Sequence, residues 1–428
     1  MQVPSAPKGT RDFYPPEMAF QDYIFDSWRR TCERYGFEHY DGPMFEHLDL
    51  FTQKSGAEIE KQLYAFEDKG GRQIALRPEL TPTLARMVAA KGSGLKRPIR
   101  WYSIPRLFRY EKMQKGRLRE FHQLNLDILG VKEVGADAEL IAAAVAMMRD
   151  LGFTADDFTV RISSRTLLEE LLVLAGVARE ESTAVYAALD KMHKVAKDEF
   201  ESELRTICGN DEVFSKVNDI LAARSLADIA AINAGIQPYK DLAELFDLLA
   251  LYGIAEYAEF DIGIVRGLAY YTGIVFEVFD KKRSLRAIAG GGRYDKLVKL
   301  YGGPDTPAVG FAAGDVVLAE LLKEKGFVLH PKPRTQVFVV AFDDGYPGPL
   351  LKAVEQLRAE GISTECALRK CGVGKQLELA HSAGAKLVLF VGGSEAQAGT
   401  AKIKSMGSGE ELTCALPEVI GRVKELLK

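Results

Sequence analysis

Three stretches decide the fold class: Arg100-Trp101-Tyr102-Ser103-Ile104, Leu107-Phe108-Arg109-Tyr110-Glu111 and Glu120-Phe121-His122-Gln123-Leu124-Asn125-Leu126-Asp127-Ile128-Leu129. Each is rich in aromatic and aliphatic residues, as strands are. Between the second and third lies Lys112-Met113-Gln114-Lys115-Gly116-Arg117, a polar loop with one glycine. Two strands joined by a short polar loop predict an antiparallel hairpin. Along the third stretch the side chains alternate, so Gln123, Asn125 and Asp127 share one face. That face is either open to solvent or the lining of a cavity. Arg109 and Glu111 share a face of the preceding strand. A strand-borne arginine has the fork geometry suited to phosphate or carboxylate. The competing reading is a cross-strand ion-pair ladder on an exposed sheet.

Charge singles out the same region. The chain has 428 residues, with 56 basic and 60 acidic side chains, for a net charge of −4. That balance argues against a protein whose whole surface binds nucleic acid. Yet between Lys96 and Glu120 nine basic residues stand against two acidic ones, a focused site for phosphate or a polyanion. Hydrophobic residues make up 47% and charged residues 27%, which places the chain among globular proteins. No apolar run approaches the ~18 residues of a membrane span, so no membrane partner is expected. The opening segment has neither an apolar signal core nor an Arg-rich amphipathic pattern, so a cytoplasmic location is expected. The five cysteines form no C-x-x-C pair and no H-E-x-x-H occurs, so no protein-held metal is expected.

Outward from the hairpin the chain is organised in blocks. Pro15-Pro16-Glu17 opens an amphipathic helix carrying Met18, Tyr23, Ile24, Trp28 and Cys32, which Gly36 ends. Residues 37–44 and 73–77 read as strands, and Thr81 or Thr83 starts a helix. Residues 136–149 form an Ala-rich helix, and 158–162 a strand. Residues 166–252 are rich in Leu, Ala, Glu and Lys without strong strand character, a helical insertion. Strand character returns at 258–264 and 274–279, and a helix follows from Asp315. Residues 326–334, with Pro331 and Pro333, read as a linker. Beyond it, buried strands alternate with helices, which predicts a small α/β domain with a mostly parallel sheet at 335–428.

Further segments carry chemistry-bearing residues. In Leu76-Arg77-Pro78-Glu79-Leu80-Thr81, a carboxylate held just past a strand end is placed to accept from an ammonium group. In Val265-Arg266-Gly267-Leu268-Ala269-Tyr270-Tyr271-Thr272-Gly273, two tyrosines and an arginine lie between glycines that let backbone approach closely. Gly290-Gly291-Gly292-Arg293-Tyr294-Asp295 has no phosphate-loop spacing and indicates only close backbone packing.

In this order the segments resemble the histidyl-tRNA synthetases, a family of class II aminoacyl-tRNA synthetases. Lys8-Gly9-Thr10-Arg11-Asp12 resembles the family's opening motif. Tyr35-Gly36-Phe37 through Pro43-Met44-Phe45-Glu46 resembles motif 1, the dimer-forming helix and strand. Phe108-Arg109-Tyr110-Glu111 through Arg117, with Phe121-His122-Gln123, resembles motif 2. Arg266-Gly267-Leu268-Ala269-Tyr270-Tyr271 resembles the family signature, and residues 333–428, with Val373-Gly374-Lys375-Gln376, the anticodon-binding domain.

The resemblance implies an α+β catalytic domain at 1–325, an antiparallel sheet flanked by helices and interrupted by the insertion at 166–252. It also implies a linker at 326–334 and an α/β anticodon-binding domain at 335–428. It implies a homodimer, with L-histidine, ATP, Mg²⁺ and tRNA(His) as partners. The reaction implied is activation of L-histidine to histidyl-adenylate and transfer to the 3′ end of tRNA. Arg266 and Arg109 are the implied catalytic residues. Glu79, Leu80, Thr81, Arg109, Gln123, Asp127, Arg266, Tyr270 and Tyr271 are implied for histidine, and Arg109, Glu111 and Arg117 for ATP.

Three departures stand out. Ala269 replaces the signature's aspartate, and Asp127 replaces a glutamate. In Gly310-Phe311-Ala312-Ala313-Gly314-Asp315-Val316-Val317, valines stand where the family pattern has Glu-Arg, the arginine that holds the ATP γ-phosphate. Arg117, Arg293 and Lys115 are the candidates to replace it. The rival reading is a non-catalytic paralogue that regulates ATP phosphoribosyltransferase. Such paralogues typically lack the C-terminal domain.

Overall fold

The computed structural model describes residues 3–52, 62–191, 196–266, 270–329 and 334–428. Gly267, Leu268, Ala269, Pro331 and Pro333 lie outside the described residues. The chain divides into two compact units, Met1–Val328 and Leu329–Lys428.

The first unit is built on a nine-stranded sheet. In chain order the unit's strands are β1 (Glu38–His39), β2 (Phe45–His47), β3 (Ala65–Glu67), β4 (Gln73–Leu76), β5 (Ile99–Ser103), β6 (Arg106–Phe108), β7 (Glu120–Leu129), β8 (Phe158–Ser164), β9 (Ala258–Phe260), β10 (Ile274–Asp280), β11 (Ala289–Arg293) and β12 (Ala308–Gly314). The large sheet runs β1-β5-β7-β12-β11-β10-β8-β9, with β6 also on β7, while β2, β4 and β3 form a separate small sheet. Every pairing in the large sheet is antiparallel except β1 with β5 and β8 with β9.

The hairpin at 106–129 forms, but β6 stops at Phe108, so Arg109 and Glu111 lie past its end. They stay extended beside the returning chain, because Arg109 N–H donates to Arg119 O at 2.9 Å. The expected strand at 37–44 shrinks to two residues for want of a longer partner. The glycine run becomes a central strand, β11, between β10 and β12. A Cβ on Gly291 would overlap Gly310 O and the Phe311 backbone. Only glycine allows the two strands to approach this closely.

Helix Pro15–Arg34 starts with proline in its first turn, where no backbone donor is lost. It buries Ile24, Phe25, Trp28 and Cys32. Helix Gly135–Asp150 packs between it and β7, β12 and β11, with eleven buried positions, five of them alanine. Short side chains let this helix sit close on the sheet. Among its described residues the insertion holds six α-helices: Arg165–Ala175, Ser182–Lys191, Lys197–Cys208, Asp211–Ala222, Leu226–Asn233 and Gln237–Leu251. Its helix starts are capped by Ser164, Asn210 and the Ser225/Asp228 capping box.

The second unit holds β13 (Val337–Ala341), β14 (Thr364–Cys366), β15 (Leu387–Val391), β16 (Thr400–Ser405) and β17 (Glu411–Ala415), in the order β14-β13-β15-β16-β17. β13 pairs in parallel with β14 and β15, whereas β15–β16 and β16–β17 are antiparallel. The sheet is therefore mixed rather than mostly parallel. β16 and β17 were hidden by polar alternation at the sheet's edge, as in Lys402 and Lys404 against Glu411. The two faces of the sheet carry separate cores, Val337, Val339 and Leu389 on one and Phe338, Val340 and Val388 on the other.

Candidate active site

The middle of the large sheet and the hairpin surround a cavity of about 370 Å³. β7 contributes Gln123, Asn125 and Asp127, so the polar face of that strand lines a cavity rather than meeting solvent. β10 contributes Glu277, and β11 and β12 contribute Gly290 and Gly310. The segment after β4 brings Glu79 and Thr81, the hairpin Arg109, Glu111 and Arg117, and the chain before β10 Arg266, Tyr270 and Tyr271. Leu80 does not line the cavity: its side chain is fully buried at the start of helix Thr81–Lys91, where it belongs to the packing.

The glycines of β11 and β12 make the space. A Cβ on Gly290 would overlap the Arg266 guanidinium, and one on Gly310 the Asp127 carboxylate. Gly290 is opposite Glu277 and Gly310 opposite Asp127 in the strand registers.

Of the buried carboxylates that line the cavity, Glu79 and Asp127 have no ion-pair partner among the described residues, whereas Glu111 pairs with Arg117. Glu79 Oε2 accepts from the Tyr270 hydroxyl at 2.8 Å, while Glu79 Oε1 is buried with no hydrogen-bond partner. Burial pushes the Glu79 carboxyl above its ordinary range, against the opposing pull of the Arg109 charge and the Tyr270 bond. Asp127 Oδ1 accepts from the Tyr294 hydroxyl at 2.5 Å. Burial raises the Asp127 carboxyl to about 7, although the Tyr294 bond works the other way. Both groups lack a compensating cation of their own, which is costly for a buried carboxylate. Reading the glycine run only for backbone packing missed Tyr294. Its position four residues after Gly290 gave no sign of its reach across to β7.

The cations are held differently. Arg266 Nη1 donates to Glu277 Oε1 at 2.5 Å. Arg266 also adopts φ +57, a left-handed conformation unusual for a residue with a side chain. Such strain is found where surrounding structure holds a functional side chain. Arg109 Nε donates to Pro78 O at 2.9 Å, and its guanidinium lies over the Phe121 ring. That fixes the side chain while leaving its two terminal nitrogens for a ligand. Arg117 Nη2 donates to Glu111 Oε1 at 2.6 Å.

Arg11 reaches the same sheet from the opening motif. Asp315, fully buried, accepts from Arg11 Nη2 at 2.6 Å, Gln21 Nε2 at 3.1 Å and the His122 backbone at 3.0 Å. The start of the chain is thereby tied to β7 and to helix Asp315–Glu324. His122 itself packs edge-on against Phe13 and Phe25. Burial holds its imidazole down to about 4, so it is neutral near pH 7.

The candidates for the missing arginine separate. Arg293 is closed off by Asp137, Val131 O and Glu133 O. Lys115 pairs with Glu324 at 2.6 Å and does not line the cavity. Arg117 does line it. Val316 and Val317 form part of the wall, and Val317 would touch a Cβ placed on Gly116. Arg286, which the sequence reading passed over, also lines the cavity. Its only signal was a basic residue in the polar segment before the glycine run.

Residues 9–315 match the model of a family described as histidyl-tRNA synthetase, and residues 336–426 match an anticodon-binding domain. A histidine–tRNA ligase of Opitutus terrae is 41% identical over 424 residues, covering 97% of each chain. The chloroplastic/mitochondrial enzyme of that name from Arabidopsis thaliana is 40% identical over 414 residues, 96% of this chain and 85% of its own. That of Pyrococcus horikoshii is 38% identical over 430 residues, 98% and 99%. Among solved structures, the histidyl-tRNA synthetase of Nostoc sp. PCC 7120 superposes with a TM-score of 0.80 at 25% identity, covering 99% of this chain and all of the other.

Proposed function

The chain belongs to the histidyl-tRNA synthetase family and is a histidine–tRNA ligase, and we propose that the cavity carries out its chemistry with the residues described above. The observation that carries the assignment is the orphaned oxygen of Glu79 beside the arginine charges of Arg109 and Arg266. An amino acid bears its ammonium and carboxylate on one carbon. A site for it therefore needs a carboxylate and guanidinium groups side by side.

In the first step the histidine carboxylate attacks the α-phosphorus of ATP. The bond to the bridging oxygen breaks, and pyrophosphate leaves. Glu79, with Thr81, Gln123 and Asp127, holds the ammonium group, and Tyr270 and Tyr271 meet the imidazole through their hydroxyls. Arg109 grips the carboxylate and α-phosphate, and Arg266, held by Glu277, stabilises charge developing on that phosphate. Arg117 and Glu111 stand where the nucleotide lies. In the second step a ribose hydroxyl at the tRNA 3′ end attacks the activated carbonyl, and AMP leaves. Magnesium would neutralise phosphate charge when bound with ATP; Glu111 and Glu277 are already engaged by Arg117 and Arg266, so the ion would take few ligands from the protein. The second unit would take the anticodon end of tRNA(His). Its twelve basic and eleven acidic residues over 333–428 favour base and shape recognition over bulk charge. No described helix is long and apolar enough to cross a membrane, and we place the enzyme in the cytoplasm.

Histidine-dependent ATP–pyrophosphate exchange, without tRNA, tests this reading. Exchange specific to histidine is expected. Histidine binding with no exchange would move the chain to the regulatory reading. Against that reading stand the anticodon-binding match and the presence of Arg109, Arg117 and Arg266 on the cavity wall.

A further inference from the structure

Among the described residues, every cation on the cavity wall but one is engaged by the protein itself. Arg266 is held by Glu277, Arg117 by Glu111, and Arg109 by Pro78 O. Arg286 also lines the cavity, but its exposed side chain has no hydrogen-bond or ion-pair partner among the described residues. Its backbone is nonetheless held close by on both sides. Asp280 accepts from the Ser284 and Leu285 amides at 2.8 and 3.2 Å, and Ile288 N–H donates to Val278 O at 2.8 Å. The guanidinium is thus projected from a tethered turn between β10 and β11 towards Arg117 and Arg109. Partial burial first, and then the like charges of Arg117 and Arg109, outweigh the pull of Glu111 and Glu277 and lower its pKa from the ordinary arginine value. Arg117 and Arg266 have carboxylate partners and Arg286 has none, so a bound polyanion would relieve the repulsion between Arg286 and its like-charged neighbours. The neighbouring wall, Val316 and Val317, offers no charge.

We infer that Arg286 binds the terminal phosphates of ATP, supplying from the β10–β11 turn the positive charge that the Val316–Val317 wall lacks. The inference rests on the reading of the cavity as an adenylation site. Arg286 suits the task because a guanidinium presents paired donors to phosphate oxygens. Its exposure lets it swing onto the triphosphate as it binds and release pyrophosphate afterwards.

The test is direct binding of ATP and of AMP to the full chain, wild type against Arg286→Ala and Arg286→Lys, with exchange kinetics alongside. AMP lacks the phosphates in question. Arg286→Ala is expected to weaken ATP binding about tenfold or more, the effect of losing a charged hydrogen bond, and to leave AMP binding within about twofold. The KM for histidine should stay unchanged, and Arg286→Lys should recover part of the loss. Equal effects on ATP and AMP, or no effect on either, would overturn the inference. So would a change confined to the KM for tRNA, which would assign Arg286 to a nucleic-acid phosphate. Absent exchange in the wild type would sink the adenylation reading, while the ATP-against-AMP comparison would still decide on Arg286.

Discussion

Asp127 shows how one side chain trades stability for binding. Its carboxyl sits at about 7 in the empty cavity, against an ordinary value of 3.8, because burial disfavours the charge. Between those two values the folded chain binds the proton and the unfolded chain does not. Stability is therefore fully present below about pH 3.8 from this group and falls as pH rises through 7, by about 4 kcal/mol at most. Asp127→Asn should accordingly raise the melting temperature of the ligand-free protein more at pH 8 than at pH 5, and have little effect only near pH 3.8. In the mechanism we propose, the same carboxylate is charged when it holds the substrate ammonium. The KM for histidine should therefore rise as pH falls from 8 to 6, and Asp127→Asn should flatten that rise while raising the KM throughout. Comparing the two proteins separates the carboxylate from the substrate imidazole's own titration. Arg266 gives a second outcome at this scale. Arg266→Ala should slow activation about 10²-fold or more in exchange assays, as loss of a positioned charge does.

β11 and β12 set the site's dimensions. Gly290 carries no left-handed backbone requirement, so alanine is compatible with the strand, but its Cβ would occupy the place of Arg266 Nη1. Gly290→Ala should therefore shift the guanidinium from Glu277 and lower the activation rate at least tenfold. The cooperative unfolding transition should persist, because the packing of β10 against β8 is untouched. Melting by circular dichroism, read beside exchange kinetics, checks both halves. The hairpin makes the complementary point. The paired strand ends at Phe108, but the Arg109 backbone still donates to Arg119 O while its side chain donates to Pro78 O. A register shift there would carry Gln123, Asn125 and Asp127 to the opposite face of β7 and empty the cavity of its polar lining.

At the scale of the molecule, each unit has its own cores. A chain ending at Val328 should fold and retain histidine-dependent exchange. It should charge tRNA with kcat/KM lowered on the order of 10²-fold, since losing one of two linked binding surfaces removes their joint effect. Equal charging by the shortened and whole chains would give the second unit another task. The small sheet β2-β4-β3 leaves Met44, Phe45 and Phe66 about half exposed, at 47%, 53% and 47%. A homodimer, which the family resemblance implies, would be tested on that face. Light scattering should give a dimer, and Phe45→Glu with Phe66→Glu should shift it towards monomer.

The sequence by itself determined the hairpin, the amphipathic first helix, the helical insertion, the second α/β unit and most of the residues that meet in the cavity. The elements are legible because they rest on local rules of side-chain periodicity and turn chemistry, whereas the grouping of the cavity residues was implied by the resemblance of the ordered motifs to a family. Only the tertiary structure decided that the Gln123–Asp127 face is a lining rather than a solvent surface, since that depends on what packs opposite. Distant pairings were equally hidden: Tyr294 with Asp127, Arg11 with Asp315, Arg293 with Asp137. Each joins residues more than 150 positions apart, where no local pattern reports the contact. The fate of the arginines followed the same logic. Their number was written in the chain, but which were already engaged, and that Arg286 was not, depended on carboxylates and carbonyls brought alongside by the sheet.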